Sequence, residues 1–230
     1  TGGGGGIGGG IAEAFVEQGM LGVIADIDLA RAQDEAAKYG GKAMALEIDV
    51  TSLHSWALAR ERALAHFGQV DVLCNNAGVS VEWKPLTESA PETFDRAMKI
   101  NVYGVFNGVK TFAHDMMARG YGHICNTSSL NELISHGTMA TYSASKFAVT
   151  AMTDALRDEL APHGVGVSAL YPGLTRSFMS LAVRPGGELN RDAEVAEAMK
   201  SMTMMDPVWL GRAVVKAIQE TFNKIGVRFL

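Results

Sequence analysis

Tyr142 and Lys146 are the pair in this sequence whose types and spacing best suit proton chemistry. They stand in Tyr142-Ser-Ala-Ser-Lys146 at the start of a helical segment, so both side chains leave one face of the helix. A phenol titrates near pH 10, roughly three units too high for a base at neutral pH. A neighbouring ammonium favours the phenolate and narrows that gap. Ser129 closes the strand ahead of this helix, where its hydroxyl can hold a substrate oxygen, and Ser128 is its rival.

A second constellation lies at the start of the chain. Gly2, Gly6 and Gly8 form G-x-x-x-G-x-G directly before a helix. Glycines there let backbone approach a pyrophosphate, and the free N–H groups of the helix start attract its charge. A flexible linker is the bland reading of so much glycine. Against it, Ile7, Ile11, Ala14 and Phe15 make the apolar stripe of a helix packed on a sheet. Asp26 ends the next strand, where a carboxylate accepts hydrogen bonds from an adenosine ribose. It would repel a 2′-phosphate, and neither the glycine loop nor Ile27 offers an Arg or Lys for one. The pattern therefore points to NAD over NADP.

The elements that must position these residues alternate along the chain. Short apolar runs at 21–25, 43–48, 70–74, 123–126 and 165–170 read as strands. Helical patterns occupy 30–39, 55–67, 91–117, 142–160 and 207–222. The fold class is α/β: a Rossmann-like, doubly wound parallel sheet covered on both faces, in which ligands bind beyond the carboxyl ends of the strands. The glycine loop needs a strand feeding it, and none precedes Thr1 in this sequence. Residues 1–230 read as a single domain.

Bulk properties narrow the function further. The chain has 230 residues, 47% hydrophobic and 20% charged, with a net charge of −5. A pI near 5.7 argues against nucleic-acid binding, which needs a basic face. Apolar stretches are interrupted too often to span a membrane, and no signal peptide is apparent. Cys74 and Cys125 read as free buried thiols in a reducing cytoplasm. The six histidines form no metal-spaced cluster, so no metal site is expected.

The motifs occur together in order: Thr1-Gly-x-x-x-Gly-Ile-Gly, Asp49-Val50, Asn75-Asn76-Ala77-Gly78, Asn101-Val102, Ser128-Ser129, Tyr142-x-x-x-Lys146 and Pro172-Gly173. As an ordered set they resemble the single-domain branch of the short-chain dehydrogenase/reductase family, from Thr1 to about residue 218. The resemblance implies a dinucleotide site formed by Thr1, Gly2, Gly6, Ile7, Gly8 and Asp26. Asp49 and Val50 would flank the adenine, and Asn76, Ala77 and Gly78 would line the cofactor. Pro172, Gly173 and either Thr175 or Ser177 would hold the nicotinamide amide. Tyr142 and Lys146 would touch the cofactor as well as the substrate.

The catalytic set implied is Asn101, Ser129, Tyr142 and Lys146, with family spacing favouring Ser129 over Ser128. In oxidation Tyr142 removes the alcohol proton and Ser129 steadies the oxygen. Lys146 binds the ribose hydroxyls and keeps the Tyr142 pKa low, and Asn101 supports Lys146 through a water. Residues 177–206 fall where the family carries a substrate lid, and their methionines suit an apolar cover. Leu130, Asn131, Glu132, His136 and Trp83 sit on loops expected to face the same cleft, His136 reading as a solvated loop residue. The family also suggests a homodimer or homotetramer built on the helices at about 92–118 and 142–160.

The expected activity is NAD-dependent oxidation of a secondary alcohol, or reduction of its ketone, on a small, largely apolar or aromatic substrate. Asp26 weighs against an NADPH-dependent carbonyl or 3-oxoacyl reductase. Intact Ser129, Tyr142 and Lys146 weigh against a non-catalytic dinucleotide-binding sensor. A sugar epimerase on this fold usually needs a longer chain.

Overall fold

The structure is a computed structural model that describes residues 1–132, 135, 137–176 and 204–224. Helix α1 (Gly6–Glu17) follows the glycine-rich start, then β1 (Gly22–Asp26), α2 (Leu29–Ala37), β2 (Ala43–Glu47), α3 (Leu53–Phe67) and β3 (Val72–Asn75). Next come α4 (Pro91–Ala97), a π-helical turn (Met98–Tyr103) and α5 (Gly104–Arg119). β4 (Gly122–Thr127), α6 (Ala140–Leu160), β5 (Val165–Leu170) and α7 (Pro207–Lys224) complete the order.

Helix starts follow local chemistry. The Asp28 side chain caps α2 by accepting from Arg31 N, and Ser52 caps α3 by accepting from Ser55 N. Pro91 occupies the first turn of α4, where its missing N–H costs nothing. Gly120 ends α5 in the left-handed region at φ 78°, a conformation that glycine adopts without a Cβ penalty.

Every strand pairing is parallel, β1 with β2 and β3 with β4 with β5. β4 is buried along its whole length. Its alternate residues serve opposite faces, as period-2 geometry requires. Ile124 joins Trp56, Phe112, Met116 and Leu160 in one apolar layer, while Cys125 joins Ile11, Val214, Ile218 and Phe222 in the other. The sheet is thus sandwiched between helices, as the alternating sequence pattern predicts. Cys74 and Cys125 sit opposite each other in the β3–β4 register, and both are free thiols.

Helices α1 and α7 cross in near backbone contact. A Cβ on Gly10 would come within 2.3 Å of the Pro207 carbonyl carbon, and one on Gly211 within 2.3 Å of the Gly10 oxygen. An Arg212–Glu17 ion pair closes the outer rim of that crossing at 3.0 Å. The packing fixes the start of α1, and with it the glycine loop.

The two strand ladders do not hydrogen-bond to each other among the described residues. Between β1 and β3 lies an apolar slot of about 610 Å³, lined by Ile24, Leu46, Leu73, Cys74 and Phe112 among others. Thr1 and Gly3 span its end: Gly3 N donates to Ala25 O at 3.0 Å and Thr1 N to Cys74 O at 2.9 Å. No described helix is long and apolar enough to cross a membrane.

Candidate active site

The glycine loop is shaped by close backbone approach. A Cβ on Gly8 would lie 2.1 Å from the Gly2 oxygen, and one on Gly2, at φ 62°, would lie 2.9 Å from Ala77 Cα. Only glycine fits either place. α1 starts behind Gly5 with no side-chain cap, so its first N–H groups stay open to an anion. Ile7 packs from the first turn of α1 onto the Ile11 and Ile218 layer and anchors the turn.

Asp26 sits at the carboxyl end of β1, as expected. Its Oδ2 accepts from Gly4 N at 2.9 Å and its Oδ1 from Asp28 N at 3.1 Å. Each oxygen keeps a further lone pair for a ribose hydroxyl. At the end of β2, Asp49 Oδ1 accepts from Thr51 N and Thr51 Oγ1 at 2.9 and 2.8 Å. The Val50 carbonyl accepts from Trp56 Nε1 and Asn107 Nδ2, both at 3.0 Å, which pins this loop to α3 and α5.

Beyond β3, Asn76 ties the glycine loop to the strand ends. Its Nδ2 donates to the Thr1 and Gly2 oxygens at 3.1 and 3.4 Å, and its Oδ1 accepts from Thr127 Oγ1 at 3.3 Å. In return, Thr1 Oγ1 accepts from the backbone N–H groups of Asn76 and Ala77, each at 3.1 Å. Gly78 leaves room for two polar groups: a Cβ there would stand 3.1 Å from Asn101 Oδ1 and 3.5 Å from Lys146 Nζ.

Tyr142 and Lys146 both face inward from the first turns of α6, 7% and 3% exposed. Lys146 Nζ donates to Thr127 O at 2.9 Å and stands 5.7 Å from the centre of the Tyr142 ring. Burial lowers the Lys146 pKa to about 8. The Tyr142 phenol is pushed up by burial, and the hydrogen bond with Ser129 pulls it down. The sequence pointed to Lys146 lowering the pKa of the phenol; in the structure the phenol is raised, and burial is the cause. Ser129 is the serine at the phenol, whereas Ser128 turns away to Glu132 and the Lys146 carbonyl.

Asn101 lies fully buried in the π-helical turn. Its Oδ1 accepts from Val79 N at 2.8 Å, and its Nδ2 donates to Val79 O and Ser145 Oγ, both at 3.0 Å. It therefore clamps the loop after β3 onto α6. The wider π turn aims this side chain inward from an otherwise α-helical column, a common feature of functional helices.

After β5, the Pro172 oxygen accepts from Leu130 N at 3.1 Å, and Thr175 Oγ1 donates to the Gly173 oxygen at 3.0 Å. Thr175 is 2% exposed and bridges to Met205, while Arg176 pairs with Asp206 at 2.6 Å. Thr175 is thus the described member of the two amide-contact alternatives. Ser177, His136 and lid residues 177–203 lie outside the described residues. Leu130 and Trp83 are exposed, whereas Glu132 is buried.

Three residues gain importance only in three dimensions. Arg31 packs beside the glycine loop, where a Cβ on Gly4 would come within 2.7 Å of Arg31 Cβ. Its sequence signal was the Asp28 cap, which starts α2 and so turns Arg31 back toward the loop. Thr127 links Asn76 to Lys146 by its side chain and carbonyl, and Thr150 meets Ser128 at 3.0 Å. Neither has a local sequence signal.

A dinucleotide fits these residues. The Gly2–Gly8 cradle would be filled by any Cβ, the start of α1 is open, and the buried Lys146 ammonium adjoins Gly78. The short chain dehydrogenase family pattern matches residues 1–187. The 3beta-hydroxysteroid dehydrogenase 2 of Eggerthella lenta is 34% identical over 192 residues, 82% of this chain and 74% of that protein. The cyclopentanol dehydrogenase of Comamonas sp. is 33% identical over 179 residues, 78% of this chain and 67% of that protein. The crystal structure of 3-ketoacyl-(acyl-carrier-protein) reductase from Brucella melitensis complexed with NADH superposes with a TM-score of 0.84 at 29% identity. That match covers 94% of this chain and 88% of the reductase. The family pattern spans most of the sequence, and the chain belongs to the short-chain dehydrogenase family.

Proposed function

We propose that the protein is an NAD-dependent dehydrogenase of secondary alcohols, reversible toward the ketone, with an apolar ring-bearing substrate. The observation that carries this reading is the buried Tyr142 phenol beside Ser129, with Lys146 Nζ 5.7 Å from the centre of the Tyr142 ring. Bound nicotinamide supplies the hydride acceptor, or the donor in reverse. Tyr142 Oη takes the alcohol proton in oxidation and returns it in reduction, while Ser129 Oγ holds the substrate oxygen. The buried phenol keeps its proton at neutral pH, which suits donation to a carbonyl. Lys146 favours the phenolate needed in the opposite direction and offers its remaining N–H groups to the ribose hydroxyls. Asn101 holds the loop beside Lys146, and Thr175 is poised for the nicotinamide amide.

Support for the cofactor choice comes from Asp26, whose charge disfavours a 2′-phosphate. Support for the substrate class comes from two relatives named for a hydroxysteroid and for cyclopentanol. Exposed Leu130, Trp83 and Leu174 offer apolar surface near the strand ends. The rival reading, an NADPH-dependent carbonyl or 3-oxoacyl reductase, draws on Arg31 beside Gly4, although Asp28 holds that guanidinium at 3.5 Å. Exposed Tyr103, Phe106 and Phe147 on the π turn, α5 and α6 suit a homodimer or homotetramer contact. The free thiols suit a reducing compartment such as the cytoplasm.

The test is turnover on a panel of cyclic and acyclic secondary alcohols with NAD, followed by nicotinamide absorbance. Oxidation of ring alcohols is expected. Dinucleotide binding without turnover on any alcohol or ketone would favour the sensor reading instead.

A further inference from the structure

Glu132 places a carboxylate where burial makes charge expensive. It is 6% exposed, on the turn that follows β4. Ser128 Oγ donates to its Oε2 at 2.7 Å, and Thr150 Oγ1 donates to the same oxygen. Ser128 has a single proton and also lies 3.1 Å from the Lys146 carbonyl. The contact to Glu132 is the shorter of the two. An apolar side chain would fill this space without the cost of burying a polar group, so the hydroxyl bonds are what the carboxyl adds.

The turn that Glu132 closes is the one that carries Ser129. Glu132 N donates to the Ser129 oxygen and Asn131 N to Ser129 Oγ, both at 3.2 Å. On the other side, Tyr142, Lys146 and Thr150 are spaced four residues apart on α6, so they share one face. The Glu132 side chain therefore reaches from the Ser129 turn to the very face that carries Tyr142.

We propose that Glu132 is a positioning residue: by latching this turn onto Thr150 it sets the Ser129 hydroxyl against the Tyr142 phenol. The inference rests on the dehydrogenase reading above. It also assigns Ser128 a task, which is to hold the latch and not the substrate.

The test is a cycle of Glu132→Ala in the native protein and in Ser129→Ala, read by single-turnover hydride transfer, which registers slow reactions. With Ser129 present, Glu132→Ala should slow transfer roughly tenfold while the dinucleotide Kd changes less than about twofold. In Ser129→Ala the same change should cost less than about twofold, because the residue it positions is gone. Glu132→Gln, which keeps one acceptor oxygen, should restore most of the rate. Thr150→Val cuts the latch from the other end and carries the same cycle should Glu132→Ala not fold. Equal losses in both backgrounds, or no loss in either, would overturn the proposal. Turnover surviving in Tyr142→Phe would instead sink the dehydrogenase reading on which it rests.

Discussion

Lys146 Nζ donates to the Thr127 carbonyl at 2.9 Å, and the hydroxyl of that same Thr127 donates to Asn76 Oδ1. The last residue of β4 thereby joins the lysine of the Tyr-Lys helix to the side chain that holds the glycine loop. Parallel strands make this junction, because β3 and β4 end side by side with Asn75 opposite Asn126.

Asn76→Ala should therefore weaken dinucleotide binding before it affects folding. The change strands the Thr1 and Gly2 oxygens and the Thr127 hydroxyl, and a loss of about tenfold in NADH affinity is expected. Fluorescence titration with NADH measures it. Unchanged affinity would show that the loop holds its shape without Asn76.

Cofactor choice turns on the charge at Asp26. The native protein should bind NADH more tightly than NADPH in a competition titration. Asp26→Asn retains an oxygen for Gly4 N but removes the repulsion, so the preference should shrink by roughly tenfold. Tighter binding of NADPH to the native protein would transfer the choice to Arg31.

Stability should fall in acid because of His123. Its ring is 1% exposed beneath α7, with Nε2 2.9 Å from Ser168 Oγ and Nδ1 buried without a partner among the described residues. Burial lowers its pKa to about 4, against about 6.5 for an unfolded chain. Between those values the unfolded state binds a proton that the folded state refuses. The contribution is full above pH 6.5 and declines as pH falls toward 4, by about 3 kcal/mol in all. Urea unfolding of the native protein and of His123→Gln across this range should give a shallower pH slope for the variant. Equal slopes would place the acid sensitivity elsewhere.

Much of the arrangement was legible because it is periodic or local. Ile124 and Cys125 alternate toward two layers as a buried strand must, and the four-residue step from Tyr142 to Lys146 needs only a helix to bring them together. The uncapped glycine start of α1 and the place of Asp26 follow from the same local geometry. What escaped depends on contacts distant in sequence. The π turn at Met98–Tyr103 lies within a segment that reads as a long helix, and its i→i+5 geometry has no periodic signal. Arg31 reaches the glycine loop only once α2 folds back, and Glu132 reads as an ordinary loop carboxylate until Thr150 is opposite it. Burial, which dominates the Tyr142 phenol, is a property of the packed chain and not of the Tyr-Lys spacing.

The central claim is that the Tyr142 hydroxyl carries the proton. The most direct measurement compares Tyr142→Phe with the native protein for both turnover and NADH binding. Phenylalanine keeps the ring in its apolar setting with Val81, Ala97 and Met139 and removes only the oxygen. The expected result is a turnover loss of at least about a thousandfold, with NADH affinity within about threefold of native. Turnover within tenfold of native would contradict the account.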